Sequence, residues 1–325
     1  MQAIVIQQYG GPEQLVIQKL PDPEPKSGHV VIEVKAFGVN HAETHMRKGE
    51  WAEATKVSGI ECVGVVKADP DGQFAAGQKV VALMGGMGRT INGSYAELTR
   101  VPASNVVPIE SPRSWTELAV IPESYATAWT CLHDNLELAA EQTLLIRGAT
   151  SALGQAALNI AAHAGARVIA TTRNRDRISM LEGLGATRVE LEGPDLSRRV
   201  RELHPEGIDA VLELVGNSTI LDSLTMVRRN GRVCLAGWLG GLAPIASFNP
   251  LLQMASGVHF SLFGSFMFGK PGFPLSDVPL QTIVDRVATG TYKAKPAKVF
   301  RFEDIQEAHR LMESNQANGK LVVQL

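Results

Sequence analysis

Short apolar runs broken by Gly and Pro fill the first third of the chain. Residues 3–6, 15–19, 29–37, 64–68, 79–83 and 95–101 carry β-branched or alternating patterns, and their spacing predicts a compact β-rich unit up to about residue 112. The period then changes. Residues 143–146 read as a buried strand, 152–164 as a small-residue helix closed by Gly165, 167–171 as a second strand and 176–184 as a second helix closed by Gly185. Further strands at 210–214 and 232–236 extend the alternation, which predicts an α/β class with a doubly wound parallel sheet and helices on both faces. From about residue 269 this rhythm is lost. A helix at 304–312 and an end strand at 321–323 remain, and this tail is expected to return to the first unit.

The first α/β strand meets its helix through Gly148-Ala149-Thr150-Ser151-Ala152-Leu153-Gly154. Small residues there let backbone N–H groups approach a pyrophosphate, with the positive end of a helix behind them, so the turn is read as a dinucleotide site. Ala152 stands where the usual fingerprint has its middle glycine, and Ser151 is placed to compensate as a hydrogen-bond donor. At the end of the second strand, where an acid would accept from the ribose 2′-hydroxyl of NAD, the chain has Thr172 followed by Arg173, Asn174, Arg175, Asp176 and Arg177. A 2′-phosphate needs cationic donors and no fixed carboxylate, so Thr172, Arg173 and Arg177 point to NADPH.

Bulk properties narrow the picture without changing it. With 325 residues, two domains are expected. A net charge of −2 gives no general attraction to nucleic acid. The first residues enter a strand pattern at once rather than a leader, no uncharged run is long enough to span a bilayer, and three scattered cysteines, Cys62, Cys131 and Cys234, suit a reducing compartment. A cytoplasmic protein is expected.

With these features in place, the chain resembles the medium-chain dehydrogenase/reductase superfamily, and within it the zinc-free quinone oxidoreductases related to zeta-crystallin. The segments that carry the likeness are Gly38-Val39-Asn40-His41-Ala42-Glu43-Thr44, Gly59-Ile60-Glu61-Cys62-Val63-Gly64, Asn92-Gly93-Ser94-Tyr95-Ala96-Glu97, Tyr125-Ala126-Thr127-Ala128-Trp129 and Arg167-Val168-Ile169-Ala170-Thr171. The resemblance implies a Rossmann-type doubly wound parallel sheet, residues 119–265, plus a β-rich GroES-like catalytic domain made from residues 1–118 and 266–325, with the active site in the cleft. In zinc-dependent members, metal ligands stand where this chain has Asn40, Ile60 and Glu123. Asn40 is a poor zinc donor and Ile60 is none, and the lobe that holds a structural zinc is replaced by Met84-Gly85-Gly86-Met87-Gly88-Arg89. His41 and His45 are read as polar residues rather than metal ligands.

Without a Lewis acid, an acceptor whose reduced form delocalises its own negative charge is favoured, so the expected activity is NADPH-dependent reduction of a quinone or conjugated enone. Asn40 is the candidate oxyanion donor, although a turn after the third strand would also place an Asn there. His45 stands where many relatives have a tyrosine and can relay a proton, and Arg89 lies in a glycine-rich loop able to cover substrate or cofactor. Tyr125 and Thr127 resemble the segment that meets the nicotinamide. Val215 and Gly216, Leu235 to Gly237, and Phe263 to Ser265 resemble later cofactor loops. Reduction of enoyl thioesters or other activated alkenes, and a non-catalytic NADPH-binding sensor role, are the alternatives. Finally, the apolar run 258–268 falls at the end of the α/β unit, where relatives pair sheet edges across a twofold axis. A homodimer joined through residues near 255 to 268 and covering Phe260, Phe263 and Phe266 is expected.

Overall fold

The computed structural model describes residues 1–51 and 53–325, which divide into two compact units, Met1–Ala126 with Ser265–Leu325 and Thr127–Gly264. The first unit opens with the antiparallel pair β1 (Gln2–Ile6) and β2 (Leu15–Lys19). Its long central strand β3 (His29–Val39) is followed by helix α1 (His41–Lys48), then β4 (Glu61–Ala68), β5 (Lys79–Leu83), β6 (Leu98–Pro102) and β7 (Val106–Pro108). Inward residues of these strands, among them Val30, Ile32, Val34, Phe37, Val66 and Ala82, share one apolar core with Ala3 and Val5. The sixth run forms a strand three residues later than its pattern predicts, because Tyr95 and Ala96 are taken up by β1: Ile4 N donates to Tyr95 O at 2.8 Å, and Ala3 bridges Ala96. Two further helices, α2 (Trp115–Leu118) and α3 (Pro122–Thr130), follow. The short α2 packs on β3 and β4, and α3 as far as Ala126 falls in the first unit.

The second unit alternates β8 (Thr143–Arg147), α4 (Ala152–His163), β9 (Arg167–Thr172), α5 (Ile178–Gly183), β10 (Arg188–Leu191), α6 (Leu196–Leu203), β11 (Ile208–Glu213), α7 (Ile220–Met226), β12 (Val227–Leu235), α8 (Pro250–Gln253) and β13 (His259–Leu262). The strands are parallel in the order β10-β9-β8-β11-β12-β13. Chain order reverses between β8 and β11, which makes their carboxyl ends the switch point where such sheets bind ligands. Every residue of β8 is buried, as expected of a strand covered on both faces. The edge run shortens to the four residues of β13, which among the described residues pairs only with β12. One expectation is corrected here: Phe263 is 2% exposed in the single chain and needs no partner to cover it, whereas Phe260 and Leu262 stay open on the edge strand and Phe266 belongs to the first unit.

The chain then re-enters the first unit. Helix α9 (Leu280–Ala288), strand β14 (Lys298–Arg301), helix α10 (Ile305–Glu313) and strand β15 (Leu321–Gln324) complete a seven-stranded sheet, in which β15 pairs antiparallel with β3. Register sets Leu321 opposite Val39, and this brings Lys320 to the end of β3 beside Asn40.

Candidate active site and nucleotide turn

In the second unit the β8–α4 turn is shaped by two glycines. Gly148 has φ +86°, and a Cβ on Gly154 would lie 2.6 Å from Gly148 O, so the helix can approach the turn only without a side chain there. Ser151 caps α4, its Oγ accepting from Gly154 N at 3.0 Å and donating to Gly148 O at 2.9 Å. The hydroxyl therefore closes the turn itself, and the exposed donors are the first N–H groups of α4, those of Ala152 and Leu153, which a helix leaves without internal acceptors. Ala149 is buried beneath them. Thr171 Oγ1, which sequence reading passed over, accepts from Gly148 N at 3.2 Å and ties the turn to β9.

The arginine loop lies beside this turn. Arg177 Nη1 donates to Thr150 Oγ1 at 3.4 Å, while Arg173 is exposed and has no hydrogen-bond or ion-pair partner among the described residues. Thr172 is buried, its hydroxyl exchanging hydrogen bonds with Asn174. The later loops converge on the same strand ends. A Cβ on Gly216 would stand 2.8 Å from Gly237 O, one on Gly148 would stand 3.2 Å from Leu214 Cβ, and Phe263 N donates to Leu235 O at 3.0 Å.

Beneath them sits a polar hub with no sequence signal. Arg147 is buried and donates to the Glu192 carboxylate, to Asp222 at 2.8 Å and to Ser223 Oγ at 3.1 Å. Ser223 donates to Glu213, whose other oxygen accepts from Val215 N at 2.8 Å and Gly216 N at 3.0 Å. Burial lifts the Glu213 carboxyl above the ordinary range, with Ser223 and Arg147 opposing. Thr127 is buried at the start of this unit, and Ser265 lies just outside it.

In the first unit, Asn40 caps α1, and a closed cluster forms around it. Its backbone N–H donates to Glu43 at 2.8 Å, as does Ile60 N at 3.1 Å. Its side-chain Nδ2 donates to Glu61 at 2.9 Å and faces Glu43 at 3.4 Å, and its Oδ1 accepts from Lys320 Nζ at 2.6 Å. Lys320 is 1% exposed and pairs with Glu61, which is 0% exposed, and it also reaches Ser124 Oγ at 3.3 Å. Glu123 contributes its backbone N–H to Glu61 at 2.8 Å. Burial lifts the Glu43 pKa to about 7, with Lys320 opposing and Glu61 adding to the rise. The amide of Asn40 is thus engaged on both sides by buried charge, and Ile60 offers no side-chain donor.

One turn along α1, His45 Nδ1 pairs with the Glu50 carboxylate while its ring stacks on Trp51, with centroids 5.9 Å apart, so Nε2 is the nitrogen left for chemistry. Arg89 meets the same indole at 5.7 Å and pairs with Glu53 at 3.2 Å. Its loop is laced rather than open: Gly88 N donates to Ile91 O, Thr55 N to Gly88 O and Thr90 N to Gly86 O. Tyr125 is buried and stacked on Tyr292. His45 and Arg89 therefore share one patch, Asn40 starts the helix that carries His45, and Tyr125 neighbours Ser124 on the far side of the Lys320 cluster. Among the described residues, no three His, Cys, Asp or Glu side chains group as a metal site.

The chain is similar to known proteins. The alcohol dehydrogenase GroES-like domain matches residues 26–111, and the zinc-binding dehydrogenase family matches residues 152–277. Human quinone oxidoreductase is 26% identical over 100% of this chain and 98% of its own length. A solved NAD-dependent alcohol dehydrogenase is 30% identical with TM-score 0.84, covering 100% of both chains. A mycobacterial protein complexed with NADPH is 25% identical with TM-score 0.88, again over 100% of both chains. No described helix is long and apolar enough to cross a membrane.

Proposed function

Because the chain belongs to the medium-chain dehydrogenase/reductase family, in its zinc-free quinone-oxidoreductase-like branch, we propose that it is an NADPH-dependent reductase of quinones or conjugated enones that works without a metal. The observation that carries this reading is the Asn40 cluster. Where a catalytic zinc would need three donors, Asn40 is engaged by Lys320, Glu61 and Glu43, and Ile60 has none to give. An alkoxide would have no metal ion to rest on there, and the one ammonium bonded to Asn40, that of Lys320, is already paired with Glu61, whereas an enolate or phenolate spreads its charge over its own conjugated frame.

Reduced nicotinamide, when bound, would supply a hydride to an acceptor carbon, and the displaced electron pair would pass to oxygen as enolate or phenolate. In the second unit, the N–H groups of Ala152 and Leu153 and the Arg177 guanidinium would hold the cofactor's phosphates, while Glu213 fixes the Val215–Gly216 turn. In the first unit, His45 Nε2 delivers the balancing proton, its ring held by Glu50 and Trp51. The test is NADPH oxidation with quinones, enones, enoyl thioesters and aldehydes, before and after dialysis against a chelator. Quinone or enone turnover that survives the chelator is expected. Turnover of alcohols or aldehydes alone, restored only by added zinc, would sink the reading.

Cofactor choice follows from Arg173 and Arg177. NADPH is expected to bind about tenfold or more tightly than NADH, a difference of ~1.4 kcal/mol that charge-assisted phosphate contacts supply. The double variant Arg173→Ala/Arg177→Ala should bring the two dissociation constants within about threefold, about 0.6 kcal/mol; equal affinities in the parent protein would remove the claim.

Assembly is proposed through β13. Its outer edge has no strand partner among the described residues, and Phe260 and Leu262, the latter 56% exposed, present apolar surface beside it. A homodimer that continues the sheet across a twofold axis would cover both. Leu262→Lys is expected to shift sedimentation from two chains to one at micromolar concentration; a parent protein that already sediments as one chain contradicts this.

A further inference from the structure

The cations around the His45 end of α1 are gathered on one ring. The Arg89 guanidinium lies 4.9 Å from the centroid of Phe266, and the Lys270 ammonium lies 5.9 Å from the same centroid. Among the described residues a single carboxylate, Glu53, answers the pair, and it does so through Arg89. Lys270 has no ionic or hydrogen-bonded acceptor for its ammonium among the described residues. Arg89 Nε is shut off from solvent and has no acceptor either.

Three physical conditions therefore coincide. Two like charges share one ring and repel each other, a single carboxylate leaves one positive charge in excess, and a buried N–H without an acceptor keeps its full desolvation penalty. An anion arriving from solvent relieves the first two at once, by pairing with the Lys270 ammonium and the open side of the Arg89 guanidinium. Beside the cations, Phe266 is 41% exposed, which is apolar surface for a flat molecule to cover.

We propose that Arg89, Lys270 and Phe266 form a subsite for an acceptor that carries an anionic group, a carboxylate or phosphate pairing with the two cations while the acceptor's flat body rests on Phe266. The proposal rests on the reductase reading above and narrows its acceptor to anionic conjugated carbonyl compounds. Arg89 then acts in binding, held in place by its lacing to Glu53 and Trp51.

The experiment is calorimetric titration of the full chain, saturated with NADP+, using 2-naphthoate and 2-naphthamide as probes of equal shape and different charge. Saturation with NADP+ removes the cofactor's own phosphates as competitors for the site. Naphthoate is expected to bind about tenfold more tightly than the amide at low salt, with the difference shrinking as salt is raised. Lys270→Ala should reduce that preference to about threefold or less. Lys26→Ala, which removes an exposed charge elsewhere, should keep it. Displacement of naphthoate by 4′-phosphopantetheine assigns the site to the phosphate of a thioester carrier, and failure to displace assigns it to a carboxylated acceptor. Equal binding of acid and amide, or a preference that persists in Lys270→Ala, overturns the proposal. No turnover is needed, so a protein that reduces no quinone or enone refutes the reductase reading while leaving this result to stand or fall by itself.

Discussion

Replacing Lys320 by methionine is expected to destabilise the first unit by about 3–5 kcal/mol, the usual cost of removing one partner from a buried ion pair. The reason is charge left without an answer. Glu61 and Glu43 are both 0% exposed, Lys320 is the one cation bonded to Glu61 among the described residues, and a Cβ on Gly38 would overlap both the Lys320 Cε and a Glu61 oxygen, so nothing larger can move in. The loss should depend on pH in a stated direction. Lys320 opposes the rise of the Glu43 pKa, which still reaches about 7, and without the ammonium that pKa climbs further. A carboxyl whose folded pKa lies above its unfolded value contributes stability that is fully present below the unfolded pKa and is lost as pH rises through the folded one. The deficit of Lys320→Met should therefore be small near pH 5 and large near pH 8. Urea unfolding followed by intrinsic fluorescence at the two pH values measures it. The double variant Glu61→Gln/Lys320→Met should recover part of the loss, since it removes the stranded charge together with its partner. A pH-independent deficit would show that packing, not charge, holds the site.

Much of the fold could be read from pattern, because its signals are local. Strand β8, the glycine turn and α4 announce themselves within a dozen residues, and β2 and β5 have the bounds their periodicity predicts. What escaped is short or distant. Strand β10 has only four residues, two of them charged, and α6 buries only Leu196 and Val200 along an otherwise polar face. The Asn40 cluster is the sharper case. Asn40 was legible as a polar residue at the end of a strand, but its partner Lys320 lies 280 positions away and is delivered by the pairing of β15 with β3. No periodicity encodes that meeting. The same holds for Arg147, whose acceptors on Glu192 and Asp222 come from two different crossovers of the sheet. Phe263 shows the converse, an aromatic in an edge-like run that the chain buries for itself.

Changing His45 to alanine is expected to lower kcat for enone or quinone reduction by about 10²- to 10⁴-fold, the range for a positioned general acid. Reduction leaves an anion on the acceptor that must be protonated, and His45 is the candidate whose surroundings suit that task. Its Nδ1 is held by Glu50 and its ring by Trp51, which fixes the direction of Nε2, while the Asn40 amide is engaged by buried charge and Tyr125 is packed against Tyr292. The neighbouring His41 does not duplicate it, because burial, with His45 adding to it, lowers the His41 pKa to about 4 and keeps that ring neutral over the working range. His45→Tyr restores a hydroxyl where many relatives carry one and should recover activity to within about tenfold of the parent, about 1.4 kcal/mol in barrier. Glu50→Gln, which leaves the ring but removes the carboxylate that holds Nδ1, should lower kcat by less than His45→Ala does. Steady-state kinetics in water and deuterium oxide separate this role from simple loss of structure. A general acid predicts that the solvent isotope effect on kcat changes in His45→Ala as the proton source changes. A variant that keeps kcat within about threefold, less than ~1 kcal/mol in barrier, would move the proton source from His45 to solvent.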